Sequence, residues 1–139
     1  MVRLSYTLLS LLLAASLTSC TLESFEVEAC QLDEDIGFKI APIDGWLRDY
    51  QPRPHELHVR IADSRPYEEA VVWATSLSHV NFDSRIPRKI IPYGQQIAGW
   101  EVQRPPKPLS EGVRYSIWMS DGGHNGGVEF KVGKQLPVC

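Results

Sequence analysis

Apolar side chains recur at every second position through most of this 139-residue chain, and no stretch sustains the 3.6-residue repeat of a long amphipathic helix. Leu57, Val59 and Ile61 alternate with His58 and Arg60. Val113, Tyr115, Ile117 and Met119 alternate with Arg114, Ser116, Trp118 and Ser120, and Val128, Phe130 and Val132 alternate with Glu129 and Lys131. Each run predicts a strand with one buried face: His55 to Ile61, Gly112 to Ser120, and Gly126 to Val132. The last two form a hairpin around Asp121-Gly122-Gly123-His124-Asn125-Gly126. Glu69 to Ser76 is apolar on both faces, with Trp73 at its centre, and predicts a central strand. Shorter strands are expected at Phe38 to Ala41, Arg88 to Ile91 and Ile97 to Val102.

Prolines fall between these runs or at their ends, where a missing N–H costs no ladder bond. The one helical candidate, Ile43 to Tyr50, is a turn or two stopped by Pro52. About seven short antiparallel strands separated by Pro, Gly and Asp predict an all-β sandwich with Greek-key connections.

The first 19 residues read differently. Arg3 supplies a positive start, Leu8 to Ala15 an apolar run, and Leu17-Thr18-Ser19-Cys20 ends it. This is a secretory signal, far shorter than the roughly 20 apolar residues that cross a bilayer. Leu17-Thr18-Ser19-Cys20 resembles the lipobox of bacterial lipoproteins. The resemblance implies that Cys20 becomes the acylated first residue, and that Thr21, where retained inner-membrane lipoproteins carry aspartate, sends the chain to the outer membrane with its domain toward the periplasm. The expected organisation is a signal at 1–19, a lipidated acidic tether at 20–29 and a β-sandwich at 30–139.

Loss of residues 1–19 removes Arg3 and no acid, taking the formal charge from −3 to −4. Glu23, Glu26, Glu28, Asp33, Glu34 and Asp35 crowd the start of the exported chain, so the remaining domain is near neutral. Neither part offers the concentrated basic surface that a nucleic-acid binder needs. Of the three cysteines, Cys30 and Cys139 remain after lipidation, and in an oxidising compartment they are expected to pair. Two distant thiols make neither a zinc signature nor a Cys-x-x-Cys redox motif.

Leu109-Ser110-Glu111-Gly112-Val113-Arg114-Tyr115 resembles the approach to the sixth strand of immunoglobulin-like and fibronectin-like domains. There a tyrosine hydroxyl bonds back to the backbone at a corner. The resemblance implies that role for Tyr115 and an immunoglobulin-like sandwich. In plan, a small sandwich on a lipidated tether, the chain is also similar to the outer-membrane lipoproteins of type VI secretion assemblies.

Candidate functional residues are few. Trp118 lies on the face of its strand opposite Tyr115, Ile117 and Met119, so it marks a partner or glycan contact beside Arg114 if that face meets solvent. Asp121, His124 and Asn125 sit on a glycine-rich hairpin tip, where side chains and backbone N–H groups could hold a small ion. His55 and His58 point to opposite faces of a strand and cannot converge. Ser78, His79 and Asp83 crowd together in sequence, but a triad needs a fixed nucleophile and an oxyanion hole.

No cofactor and no metal site is expected. The leading expectation is a non-enzymatic lipoprotein that binds another envelope protein. A ligand-binding module for glycan, peptidoglycan or metal is the alternative, and a small envelope hydrolase the third.

Overall fold

In the computed structural model, which describes residues 25–41, 52–77 and 90–139, the period-two runs are strands of two antiparallel sheets. Strands β1 (Glu26–Leu32), β2 (Asp35–Ala41) and β5 (Ile90–Pro92) form one sheet in the order β1-β2-β5. The other has the order β6-β4-β3-β7-β8, from β3 (Glu56–Ile61), β4 (Val71–Leu77), β6 (Trp100–Arg104), β7 (Arg114–Ser120) and β8 (Asn125–Lys131). A single helical turn, α1 (Tyr67–Ala70), precedes β4.

The alternation places side chains as expected. Leu57 and Val59 of β3, Tyr115, Ile117 and Met119 of β7, and Phe130 of β8 are buried against Phe38 and Ile40 of β2. Phe38 meets Phe130 edge-on across the two sheets at 5.4 Å, and Tyr115 stacks on Phe130 at 5.7 Å. Full burial of one such side chain stabilises the fold by about 1.5–3 kcal/mol. Trp73 is 1% exposed and packs edge-on against Tyr93 at 5.2 Å. Tyr115 accepts the Ser110 N–H at 2.9 Å through its hydroxyl, so the corner at the start of β7 is closed by a side chain.

β6 starts at Trp100 rather than Ile97, and three further features depart from the sequence expectation. The first sheet begins before Cys30: β1 takes in Glu26 and Glu28, whose acidic side chains point outward while Val27 and Ala29 are buried. Phe25, only 2% exposed, belongs to the core and donates its N–H to the Asn125 carbonyl at 3.1 Å. Gly126 makes this possible, because a Cβ there would lie 2.5 Å from the Phe25 ring. Second, Glu69 and Ala70 belong to α1, whose Ala70 N–H bonds the Pro66 carbonyl at 3.3 Å. Arg104 of β6 then holds the Glu68 and Val71 carbonyls at 2.7 and 3.0 Å. Third, β2 is longer than expected, reaching back to Asp35 through a two-residue turn in which Asp33 takes a φ of 53°. Aspartate tolerates that left-handed conformation better than most side chains. The helical candidate at Ile43 to Tyr50 lies outside the described residues, as do Cys20, His79 and the proposed signal.

Cys30 and Cys139 are bonded, with Cα atoms 5.0 Å apart and a sequence separation of 109. The last residues also pair with β1: Gln31 donates to the Pro137 carbonyl at 2.7 Å and accepts from the Cys139 N–H at 3.0 Å. The C-terminus thereby covers part of the outer edge of β1. Gly37, opposite Cys30 in the register, leaves the room, since a Cβ there would sit 3.0 Å from the Cys139 sulfur. Replacing Cys139→Ser is expected to lower the unfolding free energy by about 2–4 kcal/mol, read from urea denaturation without reductant. Gly37→Val should lower it too by crowding the bridge, and an unchanged midpoint in both variants would contradict a structural role for the clamp.

Candidate functional site

Because Leu57, Val59, Ile117 and Met119 fill the core, the intervening residues of β3 and β7 must project from the outer face of the five-stranded sheet. The register sets His58 opposite Trp118, and Trp118 opposite Gly127 of β8. One step along, Arg60 lies opposite Ser116, and Ser116 opposite Glu129. Two cross-strand rows result, one aromatic and one polar.

In the aromatic row the His58 imidazole stacks on the Trp118 indole, with ring centres 4.8 Å apart and planes 20° from parallel. Tyr67 of α1 leans over from the side, meeting His58 edge-on at 5.7 Å, with its hydroxyl hydrogen-bonded to His58 Nε2. The Arg60 guanidinium sits 4.8 Å from the centre of the Tyr67 ring, a cation–π contact, and makes no ion pair among the described residues. On the other flank Gly127 has no side chain to offer, and a Cβ there would strike the Ile117 carbonyl oxygen at 2.6 Å. The result is a groove of about 540 Å³, floored by β7 and walled by aromatic rings.

Burial holds the His58 imidazole below its ordinary pKa, against the pull of Glu56 and with help from Arg60. Burial also raises the Tyr67 hydroxyl, so near neutral pH Tyr67 donates and neutral His58 accepts. As a chemical surface, the groove presents flat rings beside one cation, a hydroxyl and a carboxylate.

The other sequence candidates do not converge on this groove. Arg114 shares the outward face of β7 with Trp118, but it is paired with Asp63 and lies 3.7 Å from Glu129. Asp121 and His124 occupy the hairpin tip at the far end of β7, and Asn125 is the first residue of β8. Asp121 Oδ1 accepts the N–H groups of Gly123 at 3.1 Å and His124 at 2.8 Å, and lies 3.4 Å from His124 Nδ1. Gly122 donates to the Ser120 hydroxyl at 3.1 Å. The N–H groups of Gly122 and Gly123 are thus already bonded within the loop, and Asp121 acts as a turn former. Among the described residues no group of three or more His, Cys, Asp or Glu side chains is placed to hold a metal ion.

His58, Arg60, Tyr67 and Glu129 were not singled out from the sequence as functional. Alternation places His58 and Arg60 on the solvent face, yet only the pairing of β3 with β7 brings His58 onto Trp118. Comparison with known proteins finds no matching family model, no matching curated protein and no matching solved structure.

Because burial lowers the His58 pKa, folding is coupled to pH. The unfolded chain, with a histidine pKa near 6.5, takes up a proton before the folded chain does. His58 therefore favours folding fully above about pH 6.5 and progressively less as pH falls through the folded value. Urea midpoints of the wild type should fall between pH 7.5 and pH 5 by more than those of His58→Gln. Equal losses in the two would contradict the burial of a neutral imidazole.

Proposed function

We propose that the chain is an outer-membrane lipoprotein, held through acyl chains on Cys20 with its domain facing the periplasm, and that the domain is a non-enzymatic binding module. It docks another component of the cell envelope on the outer face of β3, β7 and β8. One observation carries the reading: Trp118, a large aromatic residue, stands on the solvent face of its strand, supported by His58 on one side and opened by Gly127 on the other. A ring held rigid in this way loses little conformational freedom when a partner covers it, which is what a binding anchor requires. A solvated sheet face of no further use ordinarily carries mixed polar residues rather than a ring stacked on Trp118 and a third set edge-on to it.

The lipobox pattern supports the anchor, and the acidic residues just after Cys20 keep the chain from adhering to anionic headgroups. The name immunoglobulin-like for the two-sheet domain draws its support from the Tyr115 hydroxyl bond at the entry to β7. Hydrolysis is the weaker alternative, because His58 is neutral and committed to Tyr67, and Asp121 is committed to its turn.

Two measurements test this. Metabolic labelling with a palmitate analogue should mark the wild type and not Cys20→Ala, and equal labelling of both would remove the anchor. A photoreactive residue in place of Glu56, on the same face as His58, should form an envelope adduct that disappears in Trp118→Ala. The same probe in place of Lys39, on β2 of the other sheet, should form none. Equal adducts from both positions, or adducts indifferent to Trp118, would contradict the assignment of the binding face.

A further inference from the structure

We infer that the guest of the groove is a saccharide, with a pyranose ring lying on the Trp118 indole and its hydroxyls bonded to the row formed by Arg60, Ser116 and Glu129. This rests on the reading of the outer sheet face as the binding surface and names the chemistry of what it holds.

The groove's lining favours a sugar ring over other guests. Its floor supplies an aromatic ring of which one side is taken by His58 and the other faces the space above Gly127. A flat apolar patch fits that space, and the C–H face of a pyranose is such a patch. Beside it, neighbouring strands about 4.8 Å apart set three polar groups in line. Arg60 only donates, Ser116 both donates and accepts, and Glu129 only accepts. A sugar hydroxyl also donates and accepts, so a ring carrying several hydroxyls can satisfy all three at once.

Other guests fit less well. An aliphatic chain would cover Arg60, Ser116 and Glu129 without replacing their bonds to water, which costs free energy for each group left unpaired. A cationic side chain seeking the indole would meet Arg60, whose charge is balanced by no carboxylate within ion-pair distance among the described residues. An extended proline-rich segment docks between parallel aromatic ridges. Here His58 fills one side of Trp118 and Tyr67 stands edge-on to His58, so the groove offers no pair of parallel ridges. A groove of about 540 Å³ falls within the usual range for small-ligand sites and leaves room for a ring and its substituents.

The test uses the full chain, isolated from membranes in a zwitterionic detergent that carries no sugar headgroup. Saturation-transfer NMR would be recorded with the tetramer of N-acetylglucosamine, with cellotetraose and with a proline-rich decapeptide. Saturation should reach the C–H protons of one face of a pyranose ring in at least one saccharide and leave the peptide unmarked. Trp118→Ala should weaken that binding by at least about tenfold. Trp118→Phe, which keeps a ring on the same strand, should restore part of it, and Arg60→Ala should weaken it without loss of the fold. Near-ultraviolet circular dichroism and thermal midpoints identify any variant that has not folded.

Transfer to neither saccharide at about 10 mM overturns the inference, as does transfer unaffected by Trp118→Ala and Arg60→Ala. Transfer to the peptide instead would make the groove a peptide slot. A Trp118-dependent adduct from position 56 without any saccharide signal would leave the binding face standing and remove the sugar. Absence of both would remove the two together.

Discussion

The contact between the inner faces of the two sheets, with Phe38 of β2 set edge-on against Phe130 of β8, constrains the rest of this molecule. Side chains on a strand alternate, so a choice of what fills the core is also a choice of what meets solvent. With Leu57, Val59, Ile117 and Met119 buried, His58, Arg60, Ser116 and Trp118 have one place to go. A slip of one residue in the β3–β7 register would bury Arg60 if β3 turned over, or expose Met119 if β7 did. The groove is therefore as well defined as the core beneath it, with which it shares Ile117.

The first and last described residues of the domain are secured to different sheets. At the amino end Phe25 crosses Gly126 and bonds Asn125, which ties the start of the domain to the five-stranded sheet. At the carboxyl end Cys139 is bonded to Cys30 and pairs with Gln31, which ties it to the three-stranded one. That arrangement also shields part of an edge strand, where unpaired backbone groups invite association with other chains. The outer face of β3, β7 and β8 takes no part in either attachment.

Most of the β architecture was legible because alternation is a local signal. β3, β7, β8 and the burial of Trp73 follow directly from residue order. β1 was obscured by Glu26 and Glu28, since an acidic count suggests a solvated tether while the buried Val27 and Ala29 between them show a half-buried strand. Phe25 is core because Gly126 beneath it leaves room, and nothing near residue 25 in the sequence signals that pairing. Half of the candidate site was legible for the same reason: Trp118 had to face outward if Ile117 and Met119 faced in. Its companions were not, because stacking of His58 on Trp118 depends on which strands pair and in which register, and β3 and β7 are separated by some fifty residues of sequence. Tyr67 reaches the site from a single helical turn that the alternating pattern gives no cause to expect.

A binding groove on this face requires that Trp118 be reachable from solvent while the other tryptophans of the sheet are not. Brief hydroxyl-radical oxidation of the native chain, read residue by residue with mass spectrometry, measures this directly. Trp118 should oxidise well ahead of Trp73 and Trp100, which are 1% and 4% exposed. Protection of Trp118 equal to that of Trp73 would place it within a core, and the outer face of the five-stranded sheet would then hold no binding groove.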